Sequence, residues 1–208
     1  MTRHKTPSKK KAPRKRLESA AGLGRDATVA AVEGAARRLF AERGYAGVSV
    51  RDIAAAAGVN HGLIHRHFGA KEGVLQAVLQ GMFTDVGTLA LGKSVPGDPD
   101  FLAQLYPLVV QRKADWQILM RAVLDGFDFQ AAGFRFPLTN AVLSHVAARR
   151  GTLDREARMR AAAIIAGGLG WLLLEGYLTP VLGLEGASPK ALQARMAGLL
   201  SLLADAEA

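Results

Sequence analysis

The stretch Ser49-Val50-Arg51-Asp52-Ile53-Ala54-Ala55-Ala56-Ala57-Gly58-Val59-Asn60-His61-Gly62-Leu63-Ile64-His65-Arg66-His67-Phe68-Gly69-Ala70-Lys71 decides the fold of this 208-residue chain. Ser49 followed three residues later by Asp52 is a variant of the capping box, in which two side chains satisfy the free N–H groups of a helix start. Val50, Ile53, Ala54 and Ala57 continue at i, i+3, i+4 and i+7, the spacing of a short amphipathic helix. Gly58 breaks it, because glycine enters the left-handed region freely, and the side-chain oxygen of Asn60 can cap a second short helix. On that helix Ile64 and Phe68 share one face and should pack inward. His61 and His65 form one flank, Leu63 and His67 the other, and Gly62 and Arg66 point farthest from the packed face. A packed face backed by donors, with a glycine near the helix start permitting close approach, suits insertion into a DNA major groove. Lys71 opens the next helix and adds a cation beside free backbone N–H groups, both suited to phosphate.

Upstream, Val32, Ala36, Leu39 and Phe40 recur at helical spacing over 25–43, and Gly44 stops that helix. Tyr45 follows directly, where its ring can close the top of a small core. A first helix followed by two short ones joined by a tight turn amounts to a helix-turn-helix head.

The run Gly-Tyr-x-x-x-Ser-Val-Arg-Asp-Ile-Ala-x-x-Ala-Gly-Val-x-x-Gly-x-Ile-x-x-His-Phe-x-x-Lys-Glu over 44–72 resembles the DNA-binding domain of the tetracycline-repressor (TetR) family of bacterial transcription regulators. The resemblance covers about 60 residues near the N-terminus and implies an all-α chain. It makes 60–68 the recognition helix, Val50 and Arg51 the contact end of the helix before it, and Lys71 a phosphate contact. The DNA-facing set is then Val50, Arg51, Asn60, His61, Gly62, Leu63, His65, Arg66, His67 and Lys71. Three positions depart from the family pattern. Leu63 stands where Thr or Ser is usual, His65 where Tyr is usual, and Ala70 where a Ser or Asn cap is usual.

Charge separates the chain into three parts. Residues 1–24 carry +7, 25–73 carry +2 and 74–208 balance, so the net +9 and the isoelectric point near 10.3 belong to the first 24 residues. Lys9, Lys10, Lys11, Arg14, Lys15 and Arg16, interrupted by Pro7 and Pro13, read as a disordered basic arm able to track phosphates or enter a minor groove. The remainder divides into a DNA-binding head, 25–73, and a helical domain for effector binding and dimerisation, 74–208. No cysteine is present, which excludes disulfide and thiolate chemistry and is compatible with a cytoplasmic location. The longest uncharged run beyond the arm, 161–174, has 14 residues, short and glycine-rich for a membrane span, so no membrane partner is expected.

Val74, Leu75, Val78, Leu79, Met82, Phe83 and Val86 extend the helix begun at Lys71 and make it the link between head and body. Beyond a Gly-, Pro- and Asp-rich loop at 92–99, helical spacing recurs near 100–112, 114–127, 137–150, 154–178 and 188–204, with no strand pattern. About nine helices follow. In the resembled family the last two helices form a four-helix dimer interface, and Gly167, Gly170, Leu192, Met196 and Leu199 suit that role. A two-fold homodimer would in turn select double-stranded DNA with a palindromic operator. The resemblance also implies a small-molecule effector between the body helices. Tyr106, Trp116, Met120, Phe127, Phe129, Phe134, Phe136, Trp171 and Tyr177 are the aromatic or soft groups available to line such a site, and His145, Glu175 and Arg121 its polar handles. Trp116, Met120, Phe127, His145, Trp171 and Glu175 head the ligand set. Ligand favouring a form with splayed heads, transmitted by the fourth helix, would release DNA.

Two other classes compete. His61 and His65 have the i, i+4 spacing of metal ligands, but His67 lies on the other flank and no carboxylate follows until Glu72, so neither a resident metal nor a cofactor is expected. An architectural DNA-binding protein would use the basic arm without an effector. Catalysis finds no nucleophile elbow and no phosphate-cradling glycine loop. Asp125 and Asp128, three apart, read as a solvated helix face, so no enzyme is expected.

Overall fold

A computed structural model describes residues 24–92 and 94–205, so the basic arm read from the sequence lies outside the described residues except for Gly24. The described residues form nine helices and no strand: α1 (Arg25–Arg43), α2 (Val50–Ala57), α3 (His61–Phe68), α4 (Lys71–Leu91), α5 (Phe101–Gln111), α6 (Lys113–Leu124), α7 (Pro137–Arg150), α8 (Arg155–Val181) and α9 (Pro189–Asp205).

Local chemistry sets the starts of α2 and α3 and the end of α2. The Ser49 hydroxyl accepts from the Asp52 N–H while the Asp52 carboxylate accepts from the Ser49 N–H, a complete capping box at the start of α2. Gly58 ends that helix at φ 68° and ψ 25°, the left-handed conformation in which a Cβ is costly. The Asn60 side chain accepts from the Gly62 N–H at 2.8 Å and starts α3. Ala70, which precedes α4, supplies no side-chain cap.

Burial follows the apolar pattern. Val32, Ala36, Phe40, Ile53 and Ile64 close the core of α1–α3, and all seven apolar residues noted on α4 are buried. These continue into one cluster that runs through α5–α9. α4 is therefore the central helix. α6 reaches back from the body to the head, and it ends earlier than its apolar spacing suggests. Gly126 turns the chain at φ 76°, and the Phe127 N–H returns to the Ala122 carbonyl, so 125–136 is an aromatic connection rather than helix. α8 is longer than expected, because Pro180 is accommodated in its last turn and Gly183, at φ 65°, stops the chain only afterwards.

Length and composition alone would let α4 and α8 cross a membrane, beyond what the 14-residue uncharged run suggested. α4, however, packs on both sides within the core. On α8 the outward residues Met159, Leu174, Tyr177 and Val181 are apolar.

Candidate nucleic-acid interface and internal cavity

α3 buries Ile64 completely, half-buries Leu63, His67 and Phe68, and exposes His61, Gly62, His65 and Arg66 along one edge. Asn60 and Arg51 are exposed beside that edge. The rings of His61 and His65 meet edge-on with centroids 6.3 Å apart. His65 Nδ1 lies 2.8 Å from the Gly69 carbonyl. A carbonyl only accepts, so Nδ1 carries the proton and donates it there. Among the described residues no three His, Asp or Glu side chains come together as a metal site.

Val50 and Lys71 meet across a shallow depression floored by residues 46–49. The Lys71 ammonium turns toward the head. It donates to the Tyr45 carbonyl at 3.0 Å and lies 4.1 Å above the Tyr45 ring, an attraction of cation for π face. Two of its three hydrogens remain for another acceptor. Tyr45 donates its hydroxyl to Glu72 at 2.7 Å; burial, together with that carboxylate, pushes the phenol well above its ordinary range, and the phenol's hydrogen bond holds the Glu72 carboxyl below its own.

A half-open cavity of about 210 Å³ lies in the body between α4, α5, α6, α7, α8 and α9. Tyr106, Trp116, Phe129 and Phe136 line it, as does Phe83 of α4. Of the six residues heading the ligand set, Trp116 alone is in the lining. Met120 and Trp171 lie outside it. Phe127 stands edge-on between Phe129 and Tyr45, at 4.8 and 5.3 Å, and so bridges toward the head. His145 lies behind the wall, stacked on Phe101 at 4.9 Å, with its Nδ1 accepting from the Gly97 N–H at 3.0 Å. Glu175 pairs with Lys113 at 3.8 Å. Phe134 and Tyr177 are also outside the lining. Gly168, which the sequence did not single out, is in it: a Cβ there would sit 3.3 Å from Leu200 and 3.4 Å from Tyr106.

Arg121 is not a handle in the cavity either. Its Nη1 donates to the Ala41 carbonyl near the end of α1, 2.6 Å away. Asp125, at the end of α6, accepts from the Ala46 N–H at 3.0 Å rather than facing solvent alone, while Asp128 holds the N–H groups of Gln130 and Ala131 in the following turn. At the other end of α6 the buried Asp115 pairs with Arg37 of α1 at 3.1 Å and with Arg112 at 3.5 Å; Arg112 also pairs with Asp85 of α4. Periodicity gave no sign of the contacts to α1 and its turn, because each joins residues about 80 apart and two of them end on a backbone atom.

On α8 and α9 the residues noted for dimerisation divide. Leu199 is 52% exposed, and Tyr177 and Leu202 are each 64% exposed on the same two helices. Leu192 and Met196 are half-buried, and Met196 packs on the core. Gly170 has open space where a Cβ would be, whereas a Cβ on Gly167 would meet the chain's own Leu200 at 3.4 Å, an intrachain approach of α9 to α8.

Residues 34–78 match the family model described as bacterial regulatory proteins, tetR family. The HTH-type transcriptional repressor Rv3405c of Mycobacterium tuberculosis H37Rv is 37% identical over 164 residues, 78% of this chain and 81% of the relative. The HTH-type transcriptional repressor KstR2 of Rhodococcus jostii is 45% identical over 51 residues, 24% of this chain and 25% of that protein. The fold is similar to a bacterial regulatory protein in the tetR family from Rhodococcus RHA1, with a TM-score of 0.66 at 19% identity over 87% of this chain and 98% of the other. A transcriptional regulator from Rhodococcus sp. Rha1 gives 0.62 at 22% identity, over 89% and 100%. With a capped helix-turn-helix head, an all-helical body and a relative matched over most of both chains, this protein belongs to the TetR family of DNA-binding transcriptional regulators.

Proposed function

We propose that the chain is a homodimeric repressor that grips a palindromic operator with one α3 from each subunit and lets go when a small molecule fills the cavity. The observation that carries this reading is the exposed edge of His61, Gly62, His65 and Arg66, held rigidly by the buried Ile64 and the two capped helix starts. His61 and Arg66 are suited to guanine, Leu63 to a thymine methyl, and Arg66 equally to phosphate. Asn60, His67, Val50 and Arg51 flank that edge, while the remaining hydrogens of Lys71 and the uncapped start of α4 face backbone phosphate. Residues 25–73 act as the reading head and 74–208 as the ligand-binding and dimerising body. Because its target is the bacterial chromosome, the protein works in the cytoplasm.

The outer face of α8 and α9 supports the dimer, since water-exposed leucines and a tyrosine on two adjacent long helices are what an obligate interface covers. Release is a two-state change in which ligand favours the form with splayed heads. To turn a mostly bound repressor mostly off takes a differential affinity of about 10⁴-fold. α4 supports one route between cavity and head, because Phe83 lines the cavity and Lys71 begins the same helix. α6 supports a second: Trp116, Leu119 and Val123 face the cavity while Asp115, Arg121 and Asp125 hold α1 and the turn after it.

Selection of bound sites from random DNA tests the reading. A palindrome with half-sites about one helical turn apart or somewhat more is expected. A flat response to sequence would replace it with architectural binding.

A further inference from the structure

We propose that the cavity takes an uncharged, predominantly apolar molecule somewhat larger than benzene, held by a single hydrogen bond at Thr139, and that it rejects carboxylates and ammonium ions. The inference rests on the reading of this cavity as the effector site. No lining residue carries a charge. Three lining side chains have a polar atom, and two of these have their hydrogens committed: the Trp116 indole N–H donates to the Val109 carbonyl at 3.0 Å, and the Tyr106 hydroxyl donates to the Gly168 carbonyl at 3.3 Å. Thr139 is the third, and it lies with Val123 at the exposed side of the lining, between α6 and α7.

Asp115, Arg121 and Glu175, charged groups on α6 and α8, have protein partners. Asp115 holds Arg37 and Arg112, Arg121 holds the Ala41 carbonyl, and Glu175 holds Lys113. Burial, followed by the charge of Glu175, pushes Tyr106 up to about 12, so its hydroxyl stays neutral at physiological pH. A carboxylate entering the cavity would give up hydration and meet no cation among the lining residues, and an ammonium ion would meet no anion among them. Either loss is large against what a neutral apolar molecule gives up. Size follows from volume: about 210 Å³ exceeds the roughly 150 Å³ of an apolar cavity that holds benzene. The rings of Phe83, Trp116, Phe129 and Phe136 offer edges and faces to an aromatic guest.

The test is calorimetric titration of the full chain at pH 7 with 1-naphthol, 1-naphthoate, 1-naphthylmethylammonium and naphthalene. The neutral naphthol should bind at least about tenfold more tightly than either ion. Ile165→Phe, which fills space at a half-buried lining position, should weaken it at least as much, with Leu169→Phe as the second filling variant if the first fails to fold. Thr139→Val should weaken naphthol about threefold to tenfold and leave naphthalene unchanged, the effect of one hydrogen bond. Equal or tighter binding of either ion, no binding of naphthol up to its solubility, or binding indifferent to both filling variants would overturn the inference. Operator release is read separately on the same samples. Naphthol that binds the cavity without releasing DNA leaves the ligand class standing and refutes the effector reading alone.

Discussion

His65 holds the most individual chemistry on the exposed edge of α3. Its Nδ1 donates to the Gly69 carbonyl, which holds the ring against the C-terminal end of α3. His145, by contrast, is buried. Burial, reinforced by the nearby Arg149 charge, lowers its pKa below the ordinary 6.5, and its Nδ1 already accepts from the Gly97 N–H, leaving no place there for a second proton. The unfolded chain then binds a proton that the folded one refuses. The stability His145 allows is complete above about pH 6.5 and is lost as pH falls toward the depressed folded value. Between pH 7 and pH 5 the melting temperature should fall more than in His145→Gln, whose side-chain oxygen can still accept from Gly97; parallel falls would assign the loss to other groups. At Ser49 the full capping box gives a plain expectation: Ser49→Ala costs about 0.5–2 kcal/mol in denaturant unfolding.

α6 is the element whose role changes most between sequence and structure. Apolar spacing identifies it as a core helix with an aromatic end. The fold gives it a second face, on which Asp115, Arg121 and Asp125 grip α1 and its following turn while Phe127 stands against Tyr45. Arg121→Ala combined with Asp125→Ala leaves the cavity lining intact. Ligand affinity should stay within about twofold, whereas the fraction of operator released at saturating ligand should drop about severalfold, since a coupling free energy is carried by contacts that differ between states. Full release by this variant, in a gel-shift titration, would return the coupling to α4 alone. α3 and α2 needed no such revision. Their ends are set by Ser49, Gly58 and Asn60, whose effects act within a few residues.

For the whole molecule, the apolar face of α8 and α9 and the charge of the N-terminal arm make separate predictions. Leu199→Glu with Tyr177→Glu places two carboxylates on that face, and the mass by light scattering at micromolar concentration should fall from dimer to monomer. An unchanged dimer would move the interface elsewhere. Removal of residues 2–23 takes away eight basic residues and one acid. The logarithmic salt dependence of operator binding should become shallower, because a protein that neutralises fewer phosphates displaces fewer counterions. The same slope would exclude the arm from the complex.

Sequence alone determined the all-α class, the helix-turn-helix head, its exposed edge and the family, because caps, glycine stops and apolar periodicity are local and residues 44–72 carry them within one short segment. Tertiary structure decided what the body residues do. Trp116 and Phe127 are both aromatics on a plausible core pattern, yet one faces the cavity and the other faces the head. His145, Glu175 and Arg121 look alike as polar handles until packing commits each to a protein partner. Gly167 and Gly168 take their meaning from Leu200 on another helix. Such roles depend on which faces of distant helices meet, and a helical repeat specifies that a residue is inside without specifying what it meets there.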